Sequence, residues 1–378
     1  MAKDPNSLER FASGSGDGVV KVWDLVSREE IFSTRAHDNI VKDVCWTPHK
    51  QVLSCATDKT IKLWDAYSPT VNTKPHPVAT WTAQGAFTSI THHATQSAFA
   101  AASSSISIYD TNRPSSAPVQ TLQWPTSTDT LTSVRFNHSE TSILASTALD
   151  RAIVLYDLRT SLPLHKVILT LASNSVAWNP QEPLNFAVAN EDHNIYLFDM
   201  RKMNRALNVL KDHVAAVMDV EFSPTGEELV SASYDRTVRL WNRDRGHSRD
   251  VYHTKRMQRV FCSTFTPDNE YILSGSDDGN VRLWRANASD RAGIKSARQM
   301  QKIEYDQALI RRYAHMPEVK RIRRHRHMPK AIKKAGEIKS VELGAIKRRE
   351  ENVRKHSKKE GRPARKSERE KMVLGTER

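Results

Sequence analysis

Cysteine is scarce in this chain. Cys45, Cys55 and Cys262 are its only cysteines in 378 residues, and no two stand at C-x-x-C spacing, which argues against a disulfide framework or a zinc ribbon. Two of them lie inside apolar, strand-like runs where a reduced, buried thiol is expected, so the sequence reads as that of a protein from a reducing, intracellular compartment. Long apolar runs are missing too: nothing approaches the roughly eighteen residues of a membrane span, and the start Met1-Ala2-Lys3-Asp4-Pro5 has no apolar signal core. A soluble, unsecreted protein with no membrane partner is expected. The sequons at Asn137 and Asn287 would then never meet the secretory machinery. No G-x-x-x-x-G-K-[ST], H-E-x-x-H or G-x-S-x-G occurs, which leaves no recognisable enzyme or cofactor motif. His92-His93 and the pair His325 and His327 have no cysteine or acidic partner at ligand spacing, so no metal is expected.

What is abundant is positive charge, and it is unevenly placed. Residues 286–378 hold 28 Lys and Arg against 12 Asp and Glu, a net of +16; the whole chain is +14, which leaves −2 for residues 1–285. A near-neutral body is therefore joined to a basic tail. A stretch such as Lys320-Arg321-Ile322-Arg323-Arg324-His325-Arg326 has field enough to seek a polyanion, RNA or DNA above all, although a solvated charged helix face has the same composition.

Aligned on itself, the body gives seven similar segments, at 11–24, 53–65, 99–110, 144–157, 186–199, 229–242 and 272–285. Each starts apolar, passes through small residues and a turn, and ends in an alternating run closed by an aromatic: Trp23, Trp64, Tyr109, Tyr156, Phe198, Trp241 and Trp284. A period of about 40–45 residues with four short strands per unit is the signature of a β-propeller blade. Six positions before the aromatic stands Asp17, Asp58, Asp150, Asp192, Asp235 or Asp278, in a turn where a carboxylate can accept backbone hydrogen bonds; the third copy has Ser103 instead, which predicts a looser blade. The clearest copies, Leu-Ser-Cys-Ala-Thr-Asp-Lys-Thr-Ile-Lys-Leu-Trp-Asp at 53–65 and Leu-Val-Ser-Ala-Ser-Tyr-Asp-Arg-Thr-Val-Arg-Leu-Trp-Asn at 229–242, resemble the WD-repeat family. The fold class implied is all-β, a seven-bladed WD-repeat propeller over residues 1–290. The resemblance also implies a structural set in each blade: His37, Ser54, Asp58 and Trp64 in one, His213, Ser231, Asp235 and Trp241 in another. A catalytic Ser-His-Asp set occurs once, whereas this one recurs with the blade period, so it reads as architecture.

After Trp284 the alternation ends, and from about Ser296 the composition turns to Lys, Arg, Glu, Gln, Ala and Met. Met300, Ile303, Ile310 and Ala314 fall at roughly helical spacing before Pro317, which predicts an amphipathic helix docked on the propeller. A second helix is expected over 331–355, interrupted at Gly336 and Gly344, and Gly361-Arg362-Pro363 opens an expected disordered basic tail at 361–378. The stretch 315–330, with its core Arg324-His325-Arg326-His327-Met328-Pro329-Lys330, together with Lys347-Arg348-Arg349-Glu350-Glu351, resembles the SOF domain, here spanning about 291–360. That domain follows the WD repeats in a family of ribosome-biogenesis factors.

The resemblance implies a non-catalytic assembly factor of the nucleolar small-subunit processome, with processome proteins and the pre-rRNA/snoRNA particle as partners. Arg321, Arg323, Arg324, Arg326, Lys330, Lys333, Lys334, Lys347, Arg348 and Arg349 are the candidate phosphate contacts. No aromatic platform interleaves them, which argues against base-specific reading of single strands. A reading from another class comes from Tyr156-Asp157-Leu158-Arg159 and Phe198-Asp199-Met200-Arg201, which resemble the WD-x-R box that substrate receptors of cullin-RING ubiquitin ligases present to the ligase adaptor. Here Tyr and Phe replace the Trp, and each Arg could equally pair with its own Asp in the turn. A further expectation concerns the ring seam: only Met1–Arg10 stands where blade 1 needs a first strand, and Ala286-Asn287-Ala288-Ser289-Asp290 is a poor fourth strand for the last. Blades 1 and 7 are both expected incomplete, as if Met1 were an internal start.

Overall fold

Seven antiparallel sheets stand around one axis in this computed structural model, which describes residues 1–67, 76–114, 117–125, 127, 129–288, 295–358 and 362–377, and of Arg323 and Arg324 the backbone alone. The blades span residues 2–35, 41–82, 89–122, 131–169, 173–210, 217–252 and 260–285. The chain is thus a seven-bladed β-propeller with a helical C-terminal region, as the repeat period predicts.

The burial patterns explain the residue choice. In the second strand of blade 2, Val52 to Ala56 are all buried, and in blade 6 so are Leu229 to Ser233, because each sheet is covered on both faces by its neighbours. Small residues recur there because the wedge narrows toward the axis. The tight turn that follows needs a left-handed residue directly after the Asp. Lys59, Arg151, His193 and Arg236 have φ between 64° and 74°, and Gly18 and Gly279 fill the same place in blades 1 and 7. The Asp stabilises that strained turn by accepting the backbone N–H two residues on, at 3.0 Å in Asp58, 2.9 Å in Asp150 and 2.9 Å in Asp235. At Gly18 no side chain would fit, since a Cβ would meet the His37 carbonyl oxygen at 2.0 Å. Blade 3, with Ser103, closes its turn through the Ser103 N–H and hydroxyl, both bonded to the Ser105 carbonyl.

Blade 1 departs from expectation. It has four strands, because Ala2–Lys3 pairs with Phe11 and Ala12, and the Asp4-Pro5-Asn6 turn holds it there. Asp4 is buried, accepts from the Tyr67 hydroxyl and the Asn6 N–H, and donates its own N–H to the Arg10 carbonyl. Two residues suffice for this strand because side-chain anchors replace ladder length. Blade 7 has three strands among the described residues, and of its suggested fourth strand Ser289 and Asp290 lie outside them. Its last strand, Val281–Arg285, alternates exposed and half-buried, where the equivalent strand of blade 6, Val238–Asn242, is buried over its first four residues.

The extension also differs in detail. Helix α1, Ala297–Arg312, begins at a Ser296–Gln299 capping box but buries no residue; Met300 and Ile310 are exposed, so its stripe does not dock on the propeller. Helix α2 is Pro317–Arg324, and α3, Lys330–His356, runs unbroken through Gly336 and Gly344. Two glycines cost about 1 kcal/mol each, which a 27-residue helix of good formers absorbs. The expected disordered tail contains a short helix α4, Glu368–Lys371, and a strand, Val373–Glu377, that becomes the fifth strand of blade 4. Val373 pairs with Leu169 and Thr376 with Val167, and Met372 is buried among Leu169, Met203, Ala206 and Val209. This apolar anchor and ladder supply what the local composition lacks.

Candidate interaction surfaces

The recurring Ser-His-Asp-Trp sets are assembled as expected and lie buried. His213 Nδ1 is 2.8 Å from Asp235 and Nε2 is 2.7 Å from the Ser231 hydroxyl, which also accepts the Trp241 indole N–H at 2.8 Å. In blade 2, His37 repeats the pattern with Asp58 and Ser54 at 2.8 Å each and Trp64 closes it at 3.0 Å. Burial pushes both imidazoles below their ordinary pKa, so a neutral ring donates from Nδ1 to an ionised carboxylate. Burial, the largest influence, would raise the Asp235 carboxyl, but His213, Arg239 and the Thr237 hydroxyl together hold the group well below its ordinary pKa. The chain of donors runs from Trp through Ser and His to Asp with every polar atom used. The Ser54 and Ser231 hydroxyls are both fully buried.

The basic extension is fastened to the propeller at a few points. Arg326 Nε lies 2.6 Å from the Arg249 carbonyl and 2.9 Å from Asp250 on the outer strand of blade 6. Its guanidinium therefore serves docking, which separates it from the other candidate phosphate contacts. Ile332 is the one buried residue of α3 among those described, and Lys339 donates to the His213 carbonyl at 2.8 Å. Burial lowers the Lys339 pKa, opposed by Asp192, Asp212 and Asp235 nearby. Farther on, Lys347 bonds Glu368 at 3.1 Å, and Lys371 pairs with Glu350, tying α3 to α4. Arg321, Lys330, Lys333, Lys334, Lys347, Arg348 and Arg349 are all exposed. The side chains of Arg323 and Arg324 lie outside the described residues. The composition of α3 marks it as basic, but the role of Lys339 depends on which helix face meets the propeller and has no sequence signal of its own.

The two Asp-x-Arg turns join the third and outer strands of blades 4 and 5, so they share one face of the ring, opposite the His-loop ends of the strands. In each turn the Asp accepts the Arg backbone N–H at 2.9 Å. Arg201 Nη2 is 2.8 Å from Asp199, which holds that carboxyl below its ordinary pKa, and Arg159 Nε is 3.5 Å from Asp157. The arginines remain 78% and 65% exposed, Arg159 and Arg201 in that order, so pairing within the turn does not withdraw them from solvent. Beside Arg201 lies a cleft of about 380 Å³ lined by His165, Arg201, Lys202, Met203, Asn204 and Thr376; a second of about 310 Å³ continues along Arg205 and Leu207.

The described residues contain no group of His, Cys, Asp and Glu arranged to hold a metal ion, and no helix among them is long and apolar enough to cross a membrane. Against known proteins, residues 286–373 match the Sof1-like domain, and 3–24, 28–65, 204–242 and 245–285 match the WD domain, G-beta repeat. Protein SOF1 of Saccharomyces cerevisiae is 47% identical over 100% of this chain and 80% of its own length. Protein sof1 of Schizosaccharomyces pombe is 48% identical over 100% of this chain and 84% of its own. The DDB1- and CUL4-associated factor 13 of Danio rerio is 43% identical over 95% of this chain and 80% of its own.

Proposed function

Because this chain belongs to the Sof1 family of WD-repeat proteins, we propose that it is a non-catalytic assembly factor of ribosome biogenesis, acting in the nucleolar small-subunit processome. The propeller offers faces to partner proteins, while α2 and α3 carry the contacts to pre-rRNA. The observation that carries this reading is the row Lys330, Lys333, Lys334, Arg348 and Arg349, exposed on a helix that is anchored through other residues, Arg326, Ile332, Lys339 and the Lys347–Glu368 pair. Anchoring through those residues leaves the charged row displayed without spending it on the fold, and such contacts bind phosphate with little regard to base sequence.

The test is the salt dependence of binding to a structured pre-rRNA fragment. With Lys333, Lys334, Arg348 and Arg349 changed to Glu, the log–log slope should flatten by about 0.7–0.9 for every phosphate that is no longer neutralised. These positions avoid the C-terminal strand, so blade 4 stays whole. An unchanged slope would reject the reading.

A second reading is supported by the relatives that are named DDB1- and CUL4-associated factor 13: a substrate receptor that presents the Arg159 and Arg201 turns to the adaptor DDB1. Adjacent blades place both exposed arginines on one face, as a docking patch requires. Arg159→Ala with Arg201→Ala should then abolish co-purification of DDB1 without shifting the melting temperature; retained co-purification rejects it.

A further inference from the structure

The C-terminal segment does more than finish blade 4. Its strand runs from Val373 opposite Leu169, near the His-loop end of the blade, to Thr376 opposite Val167, toward the end that carries Arg159. It thereby crosses the outer rim and brings Thr376 into the wall of the cleft at Arg201. The same segment grips the loop that carries the cleft's cations. The Ala206 N–H donates to the Arg369 carbonyl at 2.9 Å, the Thr170 N–H to the Met372 carbonyl at 3.1 Å, and Met372 is packed against Met203 and Ala206. Glu368 pairs with Lys211 just beyond the loop. Residues 201–207 are thus held between the propeller and the end of the chain.

We propose that the docking surface at Arg201 is composite: the segment 367–377 forms one wall of it and fixes the 201–207 loop, and the occupant is an acidic segment of a partner protein. Arg201, Lys202 and Arg205 line the two clefts against the single carboxylate of Asp199, which leaves a net positive surface. Leu207 is 43% exposed within the second cleft, and Leu162 and Leu164 are exposed on the strand that carries His165. Cations flanked by exposed leucines suit carboxylates on a partly apolar peptide, whereas RNA would need an extended charged track or a stacking ring. Loop ordering by the strap removes an entropy cost that binding would otherwise carry.

The proposal rests on the reading of this face as the site for DDB1, and the probe is purified DDB1 titrated onto the full chain. Met372→Asp unseats the strap while keeping every charged residue of the cleft; a chain ending at Lys366 removes the strap, with its Thr376 wall, without introducing a buried charge, should the first variant misfold. Both should weaken DDB1 binding about tenfold and speed hydrogen exchange at 201–207 while the other blades exchange as before. If Arg201→Glu with Lys202→Glu abolishes binding but both strap variants bind as wild type, the composite surface is refuted and the adaptor reading stands. If wild type does not bind DDB1, or binds it regardless of Arg201, both fall. Loss of RNA binding in the Arg201→Glu, Lys202→Glu variant with DDB1 affinity intact would also overturn the protein partner.

Discussion

Arg135 of blade 4 reaches past blade 3 to Asp43 of blade 2, with Nη1 2.9 Å from Oδ2. On the way the same nitrogen donates to the Ile90 carbonyl at 2.9 Å and the Ser89 hydroxyl at 3.2 Å, so one guanidinium joins the inner strands of all three blades. Burial, the largest influence, would raise the Asp43 carboxyl, but Arg135, the Met1 ammonium and the Ile90 N–H together keep the group below its ordinary pKa. Arg135→Leu removes the guanidinium that pairs with Asp43, leaving it the Ser89 hydroxyl and the Ile90 N–H. The Arg135 side chain is 35% exposed, which moderates the cost of a broken buried pair to about 2 kcal/mol. Adding Asp43→Asn should recover part of that loss, read as a non-additive double-mutant cycle in urea midpoints.

The His213 set gives a second, graded prediction. Trp241→Phe keeps the ring and forfeits only the 2.8 Å bond to Ser231, at about 1 kcal/mol. His213→Ala removes the partner of a buried carboxylate and should cost about 3 kcal/mol. Equal losses in chemical denaturation would mean that the Asp235 charge is solvated in some other way.

Acid should loosen the propeller before its carboxylates titrate. Burial holds His213 below its ordinary value and, with the Lys339 ammonium beside it, takes His193 down to about 4. Unfolded histidines take up protons near pH 6.5, whereas these folded ones do not. Their stabilising contribution is whole above pH 6.5 and is lost as pH falls toward 4, because the unfolded state binds more protons there. Asp235, held far lower, stays ionised throughout. The urea midpoint should decline as pH falls below 6.5, with a shallower decline in His193→Asn.

Backbone exchange should single out the last strand of blade 7, which pairs on one side only among the described residues. Amides of Val281–Arg285 should exchange faster than those of Val238–Asn242, the equivalent strand of blade 6, which has a partner on each side. Equal protection would mean that another segment covers this edge in solution.

The blades were legible because each one writes the same local rule: an Asp, a left-handed residue, alternation, an aromatic. Asp58 and Lys59 need only their own turn to be understood, and His37 follows from the repeat. The extension obeys no such rule. Met300 and Ile310 have helical spacing yet stay exposed, whereas Arg326, which reads as a phosphate contact, is bound to Asp250. Both outcomes depend on where the helices land on the propeller, a tertiary fact without periodicity. Val373–Glu377 is the extreme case: five residues after a Gly-Arg-Pro stretch become a strand only because an outer strand about 200 residues away offers its edge.

That pairing also sets an order of events during synthesis. The first four strands of blade 4 are made by Leu169, but its fifth, Val373–Glu377, follows only after all seven blades. Contacts this distant in sequence form late and slowly. The seven blades can therefore be made before blade 4 has its fifth strand, and until Val373–Glu377 is seated the outer strand Leu162–Leu169 keeps a bare edge.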